Sequence, residues 1–187
     1  MSARKHRKPA PPLNPERLQQ LALRYVGRYS TSRSKLRAYL ARKVRERGWD
    51  GAGEPPLSQI AERFAELGYV DDAAFALSKA QSLSGRGYGK RRLVEKLRLA
   101  GIEEEDSQSA RRHADAEALS AALRFAERRR IGPYASARAE PRERDRAVAA
   151  MIRAGHPFAL ARAIAGLTPG SEIDIDELSE RFRSTDA

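Results

Sequence analysis

Three glycines set the frame for this chain. Gly48, Gly101 and Gly155 stand 53 and 54 residues apart. Each closes an apolar stripe of helical spacing. Four residues before them stand Val44, Leu97 and Met151, and eight before stand Leu40, Leu93 and Ala147. Glycine commonly ends helices, so one such glycine means little. Three with matched apolar positions read as one element used three times. A helix of 10–15 residues is marginal alone in water, so neighbouring elements must share the burial.

The remaining periodicity agrees. Apolar residues recur at helical spacing in Leu18–Val26, Leu36–Val44, Leu57–Leu67, Leu93–Leu97, Leu119–Phe125, Val148–Ile152 and Phe158–Ile164. The helix holding Leu119 and Phe125 is expected to run to about Gly132-Pro133. Alternating strand patterns are nearly absent, and Ile173-Asp-Ile175 is too short to count. The expected fold is all-α: three tandem three-helix repeats forming an elongated curved array. The expected boundaries are 14–69, 70–114 and 115–168, between a basic Pro-rich tail (1–13) and an acidic tail (169–187), with 1–13 and 171–187 expected to be disordered by composition.

Composition narrows the function. The chain has 187 residues and no cysteine, which excludes a disulfide scaffold and thiolate zinc sites. No apolar run reaches the roughly 18 residues of a spanning helix, and the basic start has no apolar signal core. A cytoplasmic protein is expected. The net charge is +11, placed unevenly: residues 1–49 carry 14 Lys/Arg and two acids. Arg86–Arg98 is a second basic island, whereas residues 171–187 hold six acids and two arginines. The front of the molecule suits a polyanionic partner.

No chemistry can be assembled. The histidines His6, His113 and His156 are scattered, so no metal site is expected. Gly85-Arg-Gly-Tyr-Gly-Lys90 lacks both the leading glycine and the closing Ser/Thr of a phosphate loop. Asp71-Asp72 read as caps for a helix beginning near Ala73. Glu103–Asp106 follow Gly101, where anions favour the start of a new helix. Neither an enzyme nor a cofactor is expected.

The segment Gly68-Tyr69-Val70-Asp71-Asp72-Ala73-Ala74-Phe75-Ala76 resembles the G-Y-[LI]-[DN]-D-x-x-F-A motif of the RecX family, the regulators of the RecA recombinase. Ser34 to Leu40 is similar to the family's S-x-x-E-L-x-x-x-L helix, with Lys35 to Arg37 where a glutamate is usual. Gly89–Ile102 and Arg146–Ala163 resemble its later repeats. Val70 replaces Leu or Ile, Ala100 replaces a lysine, and His156 stands where Phe is usual. The resemblance spans about Leu18 to Gly166. It implies three tandem three-helix repeats and cytoplasmic location. It also implies binding along the RecA–DNA filament, with modulation, usually inhibition, of ATP hydrolysis and strand exchange.

The motif reads as structure: Gly68 as a left-handed cap, Tyr69 and Val70 packing under the junction, Asp71 or Asp72 capping, Phe75 anchoring the next helix. Binding is expected on the surfaces these orient. Lys35, Arg42 and Arg45 face away from the Leu36–Leu40–Val44 arc. Lys90, Arg91 and Arg98 are the matching cations of the later helix, with Arg91 and Arg98 seven apart on one outward face. Repetition would set the two faces in a row for phosphates or acidic side chains. The chain is expected to act as a monomer, contacting DNA without sequence reading. The alternatives are a nucleic-acid-binding helical protein with no recombinase partner, and a helical-repeat adaptor working through its acidic tail.

Overall fold

The computed structural model describes residues 11–175 and Leu178. Among these residues the architecture is helical throughout. The elements are α1 (Pro15–Val26), α2 (Arg33–Arg47), α3 (Leu57–Glu66), α4 (Asp72–Gly85), α5 (Lys90–Leu99), α6 (Glu104–Ala116), α7 (Ala118–Arg129), α8 (Pro141–Arg153) and α9 (Phe158–Ala165). A 3₁₀ turn at Gly132–Tyr134 lies between α7 and α8. No strand forms among the described residues, and one isolated bridge pairs Leu13 with Trp49. The all-α class expected from the sequence holds. The chain divides into two compact units between Asp72 and Ala73.

In the first unit, local sequence sets the helix starts. Asn14 Oδ1 accepts from Arg17 N–H at 2.9 Å ahead of Pro15, and Ser32 Oγ accepts from Lys35 N–H at 3.2 Å. The apolar stripes of α1, α2 and α3 then converge. Leu18, Leu36, Leu40, Ile60 and Phe64 form one core with Leu13 and Val70. Leu13, placed with the tail by its composition, is fully buried there. Its N–H donates to Gly48 O at 3.0 Å and its carbonyl accepts from Asp50 N–H at 2.7 Å. The remaining tail expectations, for 1–10 and for 176–187 apart from Leu178, fall outside the described residues.

Gly68 closes α3 at φ 75°, as a left-handed cap requires. The N–H groups of Tyr69 and Val70 both turn back to Phe64 O. Val70 is buried, as expected. Tyr69 is not: it stays 54% exposed, its ring leaning on Phe64 at 5.5 Å.

In the second unit, two apolar clusters form. Ala76, Ala80, Leu83, Leu93, Leu97, Ala110 and Ala114 join α4, α5 and α6. Phe125, Ala126, Met151, Leu160 and Ile164 join α7, α8 and α9. Tyr88 packs against both. Glu104, Glu105 and Asp106 occupy the first turn of α6, as the dipole favours. Helix α7 stops at Arg129, short of the expected Gly132-Pro133, because Arg130 adopts the left-handed conformation at φ 54°. The three framing glycines all take positive φ: 83° at Gly48, 66° at Gly101 and 99° at Gly155.

The turn 85–89, read from sequence as a simple helix-to-helix connection, does more. A Cβ on Gly87 would meet Phe125 N at 2.8 Å, and one on Gly89 would run into the Gly155 carbonyl. The two backbones therefore touch. Gly89 N–H donates to Ala154 O at 3.0 Å and Arg91 N–H to Gly155 O at 3.2 Å. These bonds satisfy donors that the start of α5 leaves without an intrahelical partner.

Candidate functional site

The motif residues run from the end of α3 into α4. Asp72 is buried at the first position of α4. One carboxylate oxygen accepts from Arg33 N–H at 2.9 Å, and the other from Arg33 Nε at 3.1 Å. The carboxylate thus covers the N-terminus of α2 and grips its first side chain. The Asp72 hydrogen bond, ahead of the opposing effect of partial burial, holds the Arg33 guanidinium protonated even more firmly than usual. A residue expected to cap its own helix ties down another one. Arg33 itself gave no separate signal in sequence. Phe75 is buried, with Lys79 Nζ 5.6 Å from its ring centre.

The six cations expected to bind phosphate lie in different settings. On α2, Lys35 and Arg45 are exposed. Arg42 Nε reaches Glu46 at 3.6 Å, and its guanidinium lies 5.6 Å from the Tyr39 ring centre. On α5, Lys90 Nζ meets Asp115 at 2.7 Å. Arg91 and Arg98 are exposed one above the other on the same face. Both partners of the Lys90 pair are largely exposed, and such pairs contribute only about 0.2–1 kcal/mol. A polyanion can displace that carboxylate at little cost.

Two features were missed. The first is an aromatic ladder on the first unit, where Tyr39 stacks on Tyr25 at 4.1 Å and Tyr25 meets Tyr29 at 5.3 Å. Lys43 Nζ joins Arg42 beside Tyr39, at 5.9 Å from the ring centre. The second is a cleft of about 520 Å³ between α5, α7 and α8, lined by Tyr88, Phe125 and four arginines, Arg92, Arg128, Arg129 and Arg153. The Arg128-Arg129-Arg130 run was visible in sequence, but only the fold brings it against Arg92 and Arg153.

His156 is buried beside an aromatic ring. It is 1% exposed, its ring 5.7 Å from Phe125, and its Nε2 lies 3.1 Å from Gly87 O. Burial pushes its pKa down, partly offset by the Gly87 carbonyl, which favours the charged form. The neutral ring with Nε2–H donating to Gly87 fits this setting.

No cluster of three or more His, Asp or Glu that could hold a metal forms among the described residues. No helix among them is long and apolar enough to cross a membrane.

Comparison with known proteins places this arrangement. Residues 71–110 match the model of the RecX second three-helix domain, which covers α4, α5 and part of α6. The regulatory protein RecX of Myxococcus xanthus strain DK1622 is 32% identical over 180 residues, covering 89% of this chain and 94% of that protein. The chain belongs to the RecX family. Another family member, the regulatory protein RecX of Agrobacterium fabrum strain C58, is 27% identical over 145 residues, covering 75% of this chain and 77% of its own. The crystal structure of RecX from Lactobacillus salivarius shares the fold at TM-score 0.55 with 14% identity, covering 91% of this chain and 96% of that one. The fold is thus shared although most residues differ.

Proposed function

We propose that this chain binds the RecA recombinase and its DNA filament, and restrains RecA ATP hydrolysis and strand exchange by lying in the filament groove. The observation that carries this reading is the near full-length similarity to a regulatory protein RecX. The exposed cations support it physically. Arg91 and Arg98 on α5 and Lys35 and Arg45 on α2 can engage phosphates or acidic side chains bidentately or as point charges. In this reading residues 14–69, 70–114 and 115–168 act as successive contact modules of a monomer. Inhibition needs no chemistry: a body bridging neighbouring recombinase subunits opposes their relative motion and obstructs the second DNA strand.

The test is co-sedimentation with RecA filaments assembled on single-stranded DNA, followed by the RecA ATPase assay. The wild-type chain is expected to pellet with the filament and suppress hydrolysis. The R91E/R98E double variant is expected to lose suppression while keeping its helical circular dichroism. Suppression that survives the double change removes those residues from the contact surface. A chain that stays in the supernatant removes RecA as the partner.

A further inference from the structure

The cleft between α5, α7 and α8 carries an inference that does not depend on RecA. We infer that it binds a single-stranded phosphodiester backbone, with Arg129 and Arg153 as its principal phosphate contacts. The first support is charge without compensation. Its lining contains four arginines and no carboxylate. Arg92 pairs with Glu95 at 2.9 Å, but Arg128, Arg129 and Arg153 make no ion pair among the described residues. Elsewhere in the described chain Arg33, Arg63, Lys90, Arg111 and Arg124 each meet an acid.

The second support is the way the cations are held. Arg128 lies 5.9 Å from the Tyr88 ring centre and 5.7 Å from that of Phe125, and Arg129 lies 5.9 Å from Phe125. Arg128 Nη1 also donates to Arg86 O at 2.5 Å. Aromatic faces and a backbone carbonyl, not carboxylates, fix these guanidinium groups over the cleft. Among the described residues an arriving phosphate therefore breaks no ion pair with Arg128, Arg129 or Arg153, and the ring contacts already restrain Arg128 and Arg129.

The third support is continuity. A second cleft of about 590 Å³ shares Arg129, Ala150 and Arg153 with the first and extends it past Arg138, Arg144 and Arg146. Its one acid, Glu143, is already engaged with the Glu140 N–H at 3.1 Å. Successive arginines along a shared trough match a ligand with repeating phosphates. The aliphatic lining is mostly alanine, which offers no socket for the large anchor side chains that a docking protein helix needs. Arginine-only recognition also favours planar, bidentate contact with phosphate oxygens.

The test is fluorescence anisotropy with a labelled oligo(dT), read at two salt concentrations, for the full chain and for R129E/R153E. Helical circular dichroism checks the fold, which both exposed side chains should leave intact. The double variant is expected to bind at least about tenfold more weakly. Its log–log salt slope should shrink by roughly 1.4, at about 0.7 per single-strand phosphate contact. A second pair, R138E/R144E, is expected to weaken binding in the same direction. Unchanged affinity and slope in R129E/R153E overturn the inference. Poly-glutamate that displaces the probe as well as unlabelled oligo(dT) overturns the phosphodiester assignment in favour of an acidic polypeptide. Running the same variants through RecA co-sedimentation keeps the two readings apart. Loss of oligo(dT) binding supports the cleft whether or not RecA pellets with the chain.

Discussion

At the scale of single residues, the two most informative side chains are polar and buried. Asp72 and His156 each make a contact distant in sequence. Asp72 holds Arg33 across α2, and His156 holds the Gly87 carbonyl. For His156 the pH consequence follows from the direction of its shift. Its folded-state pKa lies below the ordinary value of about 6.5, so the unfolded chain takes up protons first as pH falls. Its contribution is therefore whole above about pH 6.5 and is lost progressively below it. Thermal unfolding should show a midpoint that drops as pH falls below about 6.5 in the wild-type chain. In the H156F variant that part of the drop should vanish, while neutral-pH stability falls by roughly 1–3 kcal/mol because the buried Gly87 carbonyl loses its donor. An equal pH dependence in both proteins would assign the drop to other groups.

At the scale of elements, the helices were legible because their signals are local. Leu36, Leu40, Leu93, Leu97 and Met151 were placed on buried stripes by spacing alone, and each is buried. Gly48, Gly101 and Gly155 were recognised as stops, and each takes the positive φ that a side chain resists. What escaped depends on contacts distant in sequence. Leu13 looks like part of a proline-rich tail until Gly48 and Asp50 bond it. Nothing near Gly89 announces that Gly155 lies against it. The candidate cations were half-legible: their exposure followed from helix geometry, whereas the cleft needed α5, α7 and α8 to meet. The glycine contact predicts a sharp sensitivity. Gly89 has an ordinary φ of −84°, so alanine there meets no backbone strain, only the Gly155 carbonyl. The G89A variant should lose roughly 1–3 kcal/mol or more in urea unfolding, as overpacking does. G85A should be close to neutral, since a Cβ at Gly85 meets nothing within 4 Å. Equal losses in the two would remove close approach as the cause.

At the scale of the whole molecule, the net charge of +11 is an energetic burden. Exposed like charges raise the free energy of the folded state, and an anion that settles among them lowers it. Anything that binds only the folded chain stabilises it by mass action, by about 2.7 kcal/mol at a hundredfold excess over its dissociation constant. Inorganic polyphosphate should therefore raise the thermal midpoint by several degrees at low salt. The gain should fade as salt rises, because phosphate contact is a counterion-exchange process. A midpoint that ignores polyphosphate at low salt would show that the exposed arginines do not act together. Charge counting located the excess at the front of the chain, because it sums residues without their partners. Among those cations Arg33, Arg42 and Lys43 meet acids in the fold, whereas Arg128, Arg129 and Arg153 make no ion pair among the described residues.

The start of α5 donates two of its hydrogen bonds to the carbonyls of Ala154 and Gly155. On a ribosome, which releases the chain from its amino end, those acceptors emerge only after α6, α7 and α8 have left the exit tunnel. Until then the helix beginning at Lys90 has an open, fraying tip. Completion of the second unit is thereby timed by translation itself, and a nascent chain halted short of residue 154 carries α5 without its clasp.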